Sequence, residues 1–335
     1  MATHRSSRRR AAQTAPLAVP SKNAVKLRRY PLSLLVILSG LLVAGLYPIS
    51  LPSQSLNSLN LYTIYFVWII LAESWNLAGG YAGLLNLGLV AFFALGGVVA
   101  SLALATGLPF IVAVLLAGLA GSFAGLALTP TFRLRSFYFA MATLVIPLII
   151  KPIVEFSTNR TDFAVPQNAI SGSATLYYLG FAMAGLTIFG VYFLVRSRVG
   201  VALRTIGDDE VGSESIGINV LYYKMIALVI SGFLASIAGA YYLQIIGTVN
   251  TTLFLNLNFS LFPIFMVIIG GFATFEGPIL GAIIFSVINY WLTSEFPGST
   301  LDTLVLSLMI IVVAVFVPRG ILPSVRRLLS RRSGG

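Results

Sequence analysis

Residues 59–105 read LNLYTIYFVWIILAESWNLAGGYAGLLNLGLVAFFALGGVVASLALA. Two apolar runs, 59–78 and 83–105, flank a glycine-rich corner, and Glu73 is the one charge in the stretch. Each run is about 20 residues long, the length at which a helix rising 1.5 Å per residue crosses a hydrocarbon core of about 30 Å. A segment apolar on every side has no water-facing stripe and belongs in lipid.

The pattern repeats outward in both directions. Candidate spans fall at 32–48, 59–78, 83–105, 108–128, 137–156, 175–195, 225–246, 261–272, 277–293 and 302–318. The chain of 335 residues is 58% hydrophobic and 9% charged, with a mean hydropathy of +0.95. A soluble domain carries about 25% charged residues, so these values exclude that class. The expected fold is an all-α polytopic membrane protein of about ten transmembrane helices. Segments 261–272 and 277–293 meet at Gly270, Gly271, Gly277 and Pro278 and could be a re-entrant pair rather than two full spans.

The basic residues orient it. Eight Lys/Arg precede residue 30, in an Ala-, Ser- and Pro-containing stretch (1–30) that reads as a disordered tail. With this tail in the cytoplasm, Arg133 and Arg135, then Arg196, Arg198, Arg204 and Lys224, and finally the basic tail 319–335 fall on the same side. Only Lys151 and Arg160 are left near the outside. Positive residues concentrate on cytoplasmic loops, so both termini are expected inside, around a transmembrane domain 31–318. The localisation that follows is the inner (plasma) membrane.

What is missing narrows the function. There is no cysteine, and the one histidine, His4, lies in the N-terminal tail. Thiol chemistry, a nucleophile–base pair and a metal-ligand cluster are therefore not expected, nor is a cofactor in this chain. No lysine follows a glycine, so a nucleotide-binding phosphate loop is absent. The chain is not expected to be an enzyme.

Three groups of residues stand out. The inner loop 196–224, RSRVGVALRTIGDDEVGSESIGINVLYYK, holds Asp208, Asp209, Glu210 and Glu214 among its basic residues. Asp208 can cap a helix, with Asp209 and Glu210 in its first turn and Gly217 closing it. So short a helix is unstable alone in water and is expected to dock on something. Two glycine-rich corners, 76–88 (NLAGGYAGLLNLG) and 270–281 (GGFATFEGPILG), share the order Gly-Gly-aromatic-Ala. Such breaks at corresponding places of two halves can mark a translocation pathway, or simply close helix packing. Within the spans, Glu73, Asn76, Asn86, Lys151 and Glu155 are the candidate pathway residues. A charge at mid-bilayer costs about 2.5–3.5 kcal/mol, so each charged one should pair or face water. Lys151 and Glu155 are one turn apart and can pair with each other.

In these segments the chain resembles the permease subunits of branched-chain amino-acid ABC importers, the LivM type. The match rests on WNLAGGYAGLLNLG with AFFALGG (75–88 and 91–97), FRLRSFYFAMATL (132–144), the 196–224 loop, IIGGFATFEGPILGA (268–282) and VPRGIL (317–322). The resemblance implies a pathway-forming subunit for branched-chain or aliphatic amino acids, or for a related small solute such as urea or a short amide. It implies a second, homologous permease chain, an external solute-binding protein and two cytoplasmic ATPase subunits that hold ATP and Mg. It also makes the short acidic helix the coupling helix to the ATPase. Departures from the family pattern are Leu89 in place of a common histidine, STNRTDFAVPQNAISG (157–172) in the outer loop, and Glu276 in place of an aromatic. An ion-coupled secondary transporter or channel, with Glu73 or Lys151–Glu155 as its coupling site, is the alternative reading.

Overall fold

The computed structural model describes residues 56–134, 136–158, 162–164, 172–295 and 320–322. The spans expected at 32–48 and 302–318, the tail 1–30 and most of the tail 319–335 lie outside them. Apart from one small ribbon, the described chain's regular elements are helical. It runs α1 (Leu56–Trp75), a π-helical turn (Asn76–Tyr81), α2 (Leu89–Ala105), α3 (Phe110–Ala127), a 3-10 turn (Thr129–Arg133), α4 (Ser136–Thr158) and α5 (Ser173–Arg196). There follow α6 (Arg198–Asp208), α7 (Glu210–Ser215), α8 (Val220–Ile246), α9 (Thr251–Phe254), α10 (Asn258–Gly270) and α11 (Gly277–Glu295). Strand β1 (Asp162–Ala164) pairs antiparallel with β2 (Thr248–Asn250), Phe163 opposite Val249.

Among the described residues, four helical segments are long and apolar enough to cross a membrane: Phe110–Ala127, Ala174–Arg196, Val220–Ile246 and Thr251–Gly270. Three shorter apolar helices accompany them: Leu89–Ala105, Phe137–Pro152 and Gly277–Leu292. The chain is a multi-pass membrane protein. Its surface agrees, because Ile111, Leu119, Phe123, Leu148, Leu186 and Phe193 are all exposed. So many exposed large apolar side chains are unfavourable in water, whereas lipid chains cover them.

The core is organised on α8, which packs against α2 and α3 on one side and α1 on another. Small residues set the spacing. A Cβ on Gly239 would overlap the Phe93 carbonyl, and one on Gly96 the Ser236 carbonyl. Backbones this close let polar side chains reach across: Ser236 Oγ donates to Phe92 O at 2.7 Å, and Ser74 Oγ to Ser231 O at 2.7 Å. In a bilayer such hydrogen bonds and close contacts hold helices together, since lipid offers no hydrophobic drive to pair them. Phe93 stacks on Phe259 at 4.4 Å between centroids, and Trp68 stacks on the same ring at 5.1 Å, joining α1, α2 and α10.

One boundary departs from expectation. The run 83–105 is not helical throughout: residues 83–88 are irregular and α2 begins at Leu89. At α2's 17 residues the helix is short for a full span, about 26 Å. The pair at 261–293 is a hairpin of α10 and α11, with Gly270 against Gly277 and Gly281 against Met266.

Candidate functional site

The two glycine-rich corners meet. α1 ends in the π turn, where Gly79 lies under the Trp75 ring, 2.7 Å from where a Cβ would sit. Trp75 Nε1 donates to Asn86 O at 2.8 Å, and Asn86 Oδ1 accepts from Gly88 N at 2.9 Å, just before α2. Leu87 N donates to Thr143 Oγ1 at 3.1 Å and Val90 N to Ser260 Oγ at 2.9 Å. These side chains satisfy backbone groups of Asn86, Leu87, Gly88 and Val90 at the break, which lipid could not do. From the other corner, Thr274 O accepts from Asn76 Nδ2 at 2.9 Å. Phe272 packs edge-on against Trp75, 6.3 Å between centroids. The third participant is Gly320, at φ +80, where a Cβ would lie 2.5 Å from Gly271 Cα.

Glu73, Asn76 and Asn86 all belong to this junction and are all 0% exposed. Among the described residues, neither carboxylate oxygen of Glu73 has a hydrogen-bond partner. Glu276 is buried in the second corner. Lys151 is not part of this group. It is half-buried on α4, eight residues beyond Thr143, about 12 Å along the helix. The side chain of Glu155 lies outside the described residues, and with it the expected pairing to Lys151.

The loop 196–224 holds two helices, not one. The first, α6, was not expected. Its spacing of Val199, Ala202, Leu203 and Ile206 is the signal that finds it, and Ala202, Leu203 and Ile206 are buried. α6 ends on the first corner: a Cβ on Gly207 would lie 2.5 Å from Tyr81 O, and the Arg204 guanidinium lies over the Tyr81 ring at 5.2 Å. The second, α7, is capped by Asp209 rather than Asp208. Asp208 completes α6; Asp209 is extended (φ −155, ψ 106), and its Oδ1 accepts from Gly212 N at 3.0 Å. Glu210 is in the first turn, as expected, and Gly217 follows the C-terminal end at φ +86, a conformation glycine adopts without strain. Asn219 then caps α8 through Tyr222 N at 3.1 Å.

α7 is held from one side and open on the other. Ser213 is 0% exposed and its Oγ donates to Asp209 O at 2.7 Å. Lys224 Nζ on α8 lies 2.6 Å from Glu210 Oε2, with side-chain exposures of 11% and 54%. Outward, Val211 is 74% and Ile216 70% exposed, beside the exposed acids Asp209 and Glu214. Behind α7 is a pocket of about 480 Å³, lined by Leu84, Phe132, Phe139, Ile206, Glu210 and Lys224 among others. Among the described residues, no group of three or more His, Cys, Asp or Glu could hold a metal ion.

A family model described as "Branched-chain amino acid transport system / permease component" matches residues 57–314. The chain is 27% identical over 315 residues to the high-affinity branched-chain amino acid transport system permease protein LivM of Salmonella typhimurium, covering 84% of this chain and 73% of that one. Escherichia coli LivM gives the same identity and coverage. The probable LivM of Methanocaldococcus jannaschii is 21% identical over 326 residues, 81% of this chain and 94% of the relative. No solved structure matches this chain.

Proposed function

The chain belongs to the branched-chain amino acid transport system permease family, and from that premise we propose that it is the translocation subunit of an ABC importer. Its cargo is a branched-chain or other aliphatic amino acid, with a related small solute such as urea or a short amide as the nearest variant. It sits in the inner membrane with the 196–224 loop in the cytoplasm, beside a second permease chain. Two ATPase subunits supply the energy, and an external binding protein delivers the solute.

The observation that carries this reading is α7. It is a six-residue helix capped by Asp209 and closed by Gly217. It presents exposed Val211 and Ile216 beside Asp209 and Glu214. An apolar pair with acidic neighbours suits a groove with basic edges on a motor subunit. Because α6 abuts Tyr81 and Asn76 bonds to Thr274, a push on the loop has a packed route into both glycine-rich corners. The chain itself does no bond chemistry; it offers a gated path and the lever that moves it.

Co-purification tests the proposal. The affinity-tagged chain is expected to bring down an ATPase whose hydrolysis responds to the loaded binding protein. Val211→Glu with Glu214→Lys should abolish both while leaving the chain in the membrane. Ion-driven uptake by this chain alone in liposomes would overturn the reading.

A further inference from the structure

α5 carries one continuous exposed face. Leu186, Phe189 and Phe193 lie on it at helical spacing, and Arg196 closes it three residues further on, exposed as they are. The apolar segment that ends there, Ala174–Arg196, has 23 residues, about 34 Å of helix against a hydrocarbon core of about 30 Å. Arg196 therefore stands at headgroup level, at the end of a stripe that faces lipid chains. Its guanidinium is stacked over the Tyr192 ring, 4.1 Å from the centroid. Arg198, two residues on, opens α6 and is also exposed.

We propose that this corner of α5 and α6 holds an anionic phospholipid, its phosphate on Arg196 and Arg198 and an acyl chain along Leu186, Phe189 and Phe193. Stacking occupies one face of the guanidinium and leaves its in-plane N–H donors free, in the fork that grips phosphate oxygens. Among the described residues neither arginine pairs with a carboxylate. From Phe163 to Gly207 the chain has three arginines and no acid. The third, Arg204, lies over the Tyr81 ring. A zwitterionic headgroup brings its own cation and would set it beside these charges, whereas phosphatidylglycerol has a phosphate with no internal counter-ion. Charge therefore selects the anionic lipid, and the apolar stripe selects a lipid over free phosphate.

The position gives the site a consequence. The acids of the loop begin only at Asp208, so its charges are segregated: Arg196 and Arg198 at the membrane end, Asp209 and Glu214 at α7. At the corner itself, Gly200 of α6 packs directly on the Val195 carbonyl of α5. A lipid clamped there steadies the base from which α7 hangs. That consequence, and the assignment to the cytoplasmic leaflet, rest on the proposed function; the selection of the lipid does not.

Photolabelling in nanodiscs tests it, using the full chain purified with its accompanying subunits. Phosphatidylglycerol and phosphatidylcholine carrying the same acyl-chain diazirine are compared at equal mole fraction. The basic tails also attract anionic lipid, so adducts are read by position after digestion. On the α5 stripe, phosphatidylglycerol is expected to exceed phosphatidylcholine about tenfold. On the exposed Leu115 and Leu119 of α3, whose helix carries no charge, the two lipids should label alike. Arg196→Gln with Arg198→Gln should remove the excess on α5 without changing α3. Arg196→Lys should keep part of it, and glycerol phosphate in solution should not compete. Equal labelling of α5 by the two lipids, an excess that survives the double variant, or one that glycerol phosphate removes would overturn the proposal. Ion-driven uptake by the chain alone would overturn the proposed function and leave this labelling unchanged.

Discussion

Asn76 Nδ2 donates to the carbonyl of Thr274 at 2.9 Å, a bond between residues 198 apart in the chain. It joins the end of α1 to the link between α10 and α11, and so makes one junction of two glycine-rich breaks. Asn76 is 0% exposed. Asn76→Leu removes the donor and leaves a part-buried carbonyl without it, a loss of about 1–3 kcal/mol. Thermal unfolding in detergent should show a lower midpoint. An unchanged midpoint would mean that the corners are held by other contacts.

The glycines divide into two classes that one experiment separates. Gly239 has no room for a Cβ because the Phe93 carbonyl occupies it, whereas Gly185 and Gly190 on α5 have nothing within 4 Å. Gly239→Val should separate α8 from α2 and yield little protease-resistant protein. Gly185→Ala and Gly190→Ala should be tolerated, each adding about 0.5–1 kcal/mol of helix propensity. Equal damage from all three would contradict the packing described.

How much of this could be read from the chain alone depends on the element. Spans 108–128, 175–195 and 225–246 fall within a few residues of α3, α5 and α8, because each is an unbroken apolar run that ends at polar or turn-forming residues. The start of α2 was hidden, because Leu84, Leu85 and Leu87 are as apolar as a helix, yet the backbone at Asn86, Leu87 and Val90 is held by Trp75, Thr143 and Ser260 side chains. Hydropathy records what surrounds a residue, not its φ and ψ. The cap was displaced by one residue for a local reason: Asp208 and Asp209 are chemically equal, and α6 claims the first. That Asn76 would face Thr274 had no sequence signal beyond the shared Gly-Gly-aromatic-Ala order.

The clasp between Lys224 and Glu210 should behave as a pair. Lys224→Glu sets two acids where an ion pair stood, and Glu210→Lys sets two cations there. Each single change is expected to cost about 1 kcal/mol, discounted because Glu210 is largely in solvent. The double exchange should recover both thermal stability and stimulated ATP hydrolysis of the complex. If the double variant is no better than the worse single one, the pair does not hold α7.

Burial also decides which residue reports the side of the loop. Ser213 is 0% exposed, whereas Ser215 two residues on is exposed. Since the chain has no cysteine, single Ser→Cys variants can be labelled without background. Ser215→Cys should react with an impermeant maleimide only after the cytoplasmic face is opened. Ser213→Cys should react roughly tenfold or more slowly, requiring local opening. Comparable rates at both would contradict the packing of α7.

If α7 presses its outward face into a motor subunit, Val211, 74% exposed, is the residue placed to report it. Val211→Cys carrying a benzophenone photocrosslinker, irradiated in native membranes, should give one dominant adduct with the ATPase subunit, lost when that subunit is deleted. An adduct with the external binding protein, or no protein adduct while the ATPase still co-purifies, would contradict the assignment of α7 as the coupling helix.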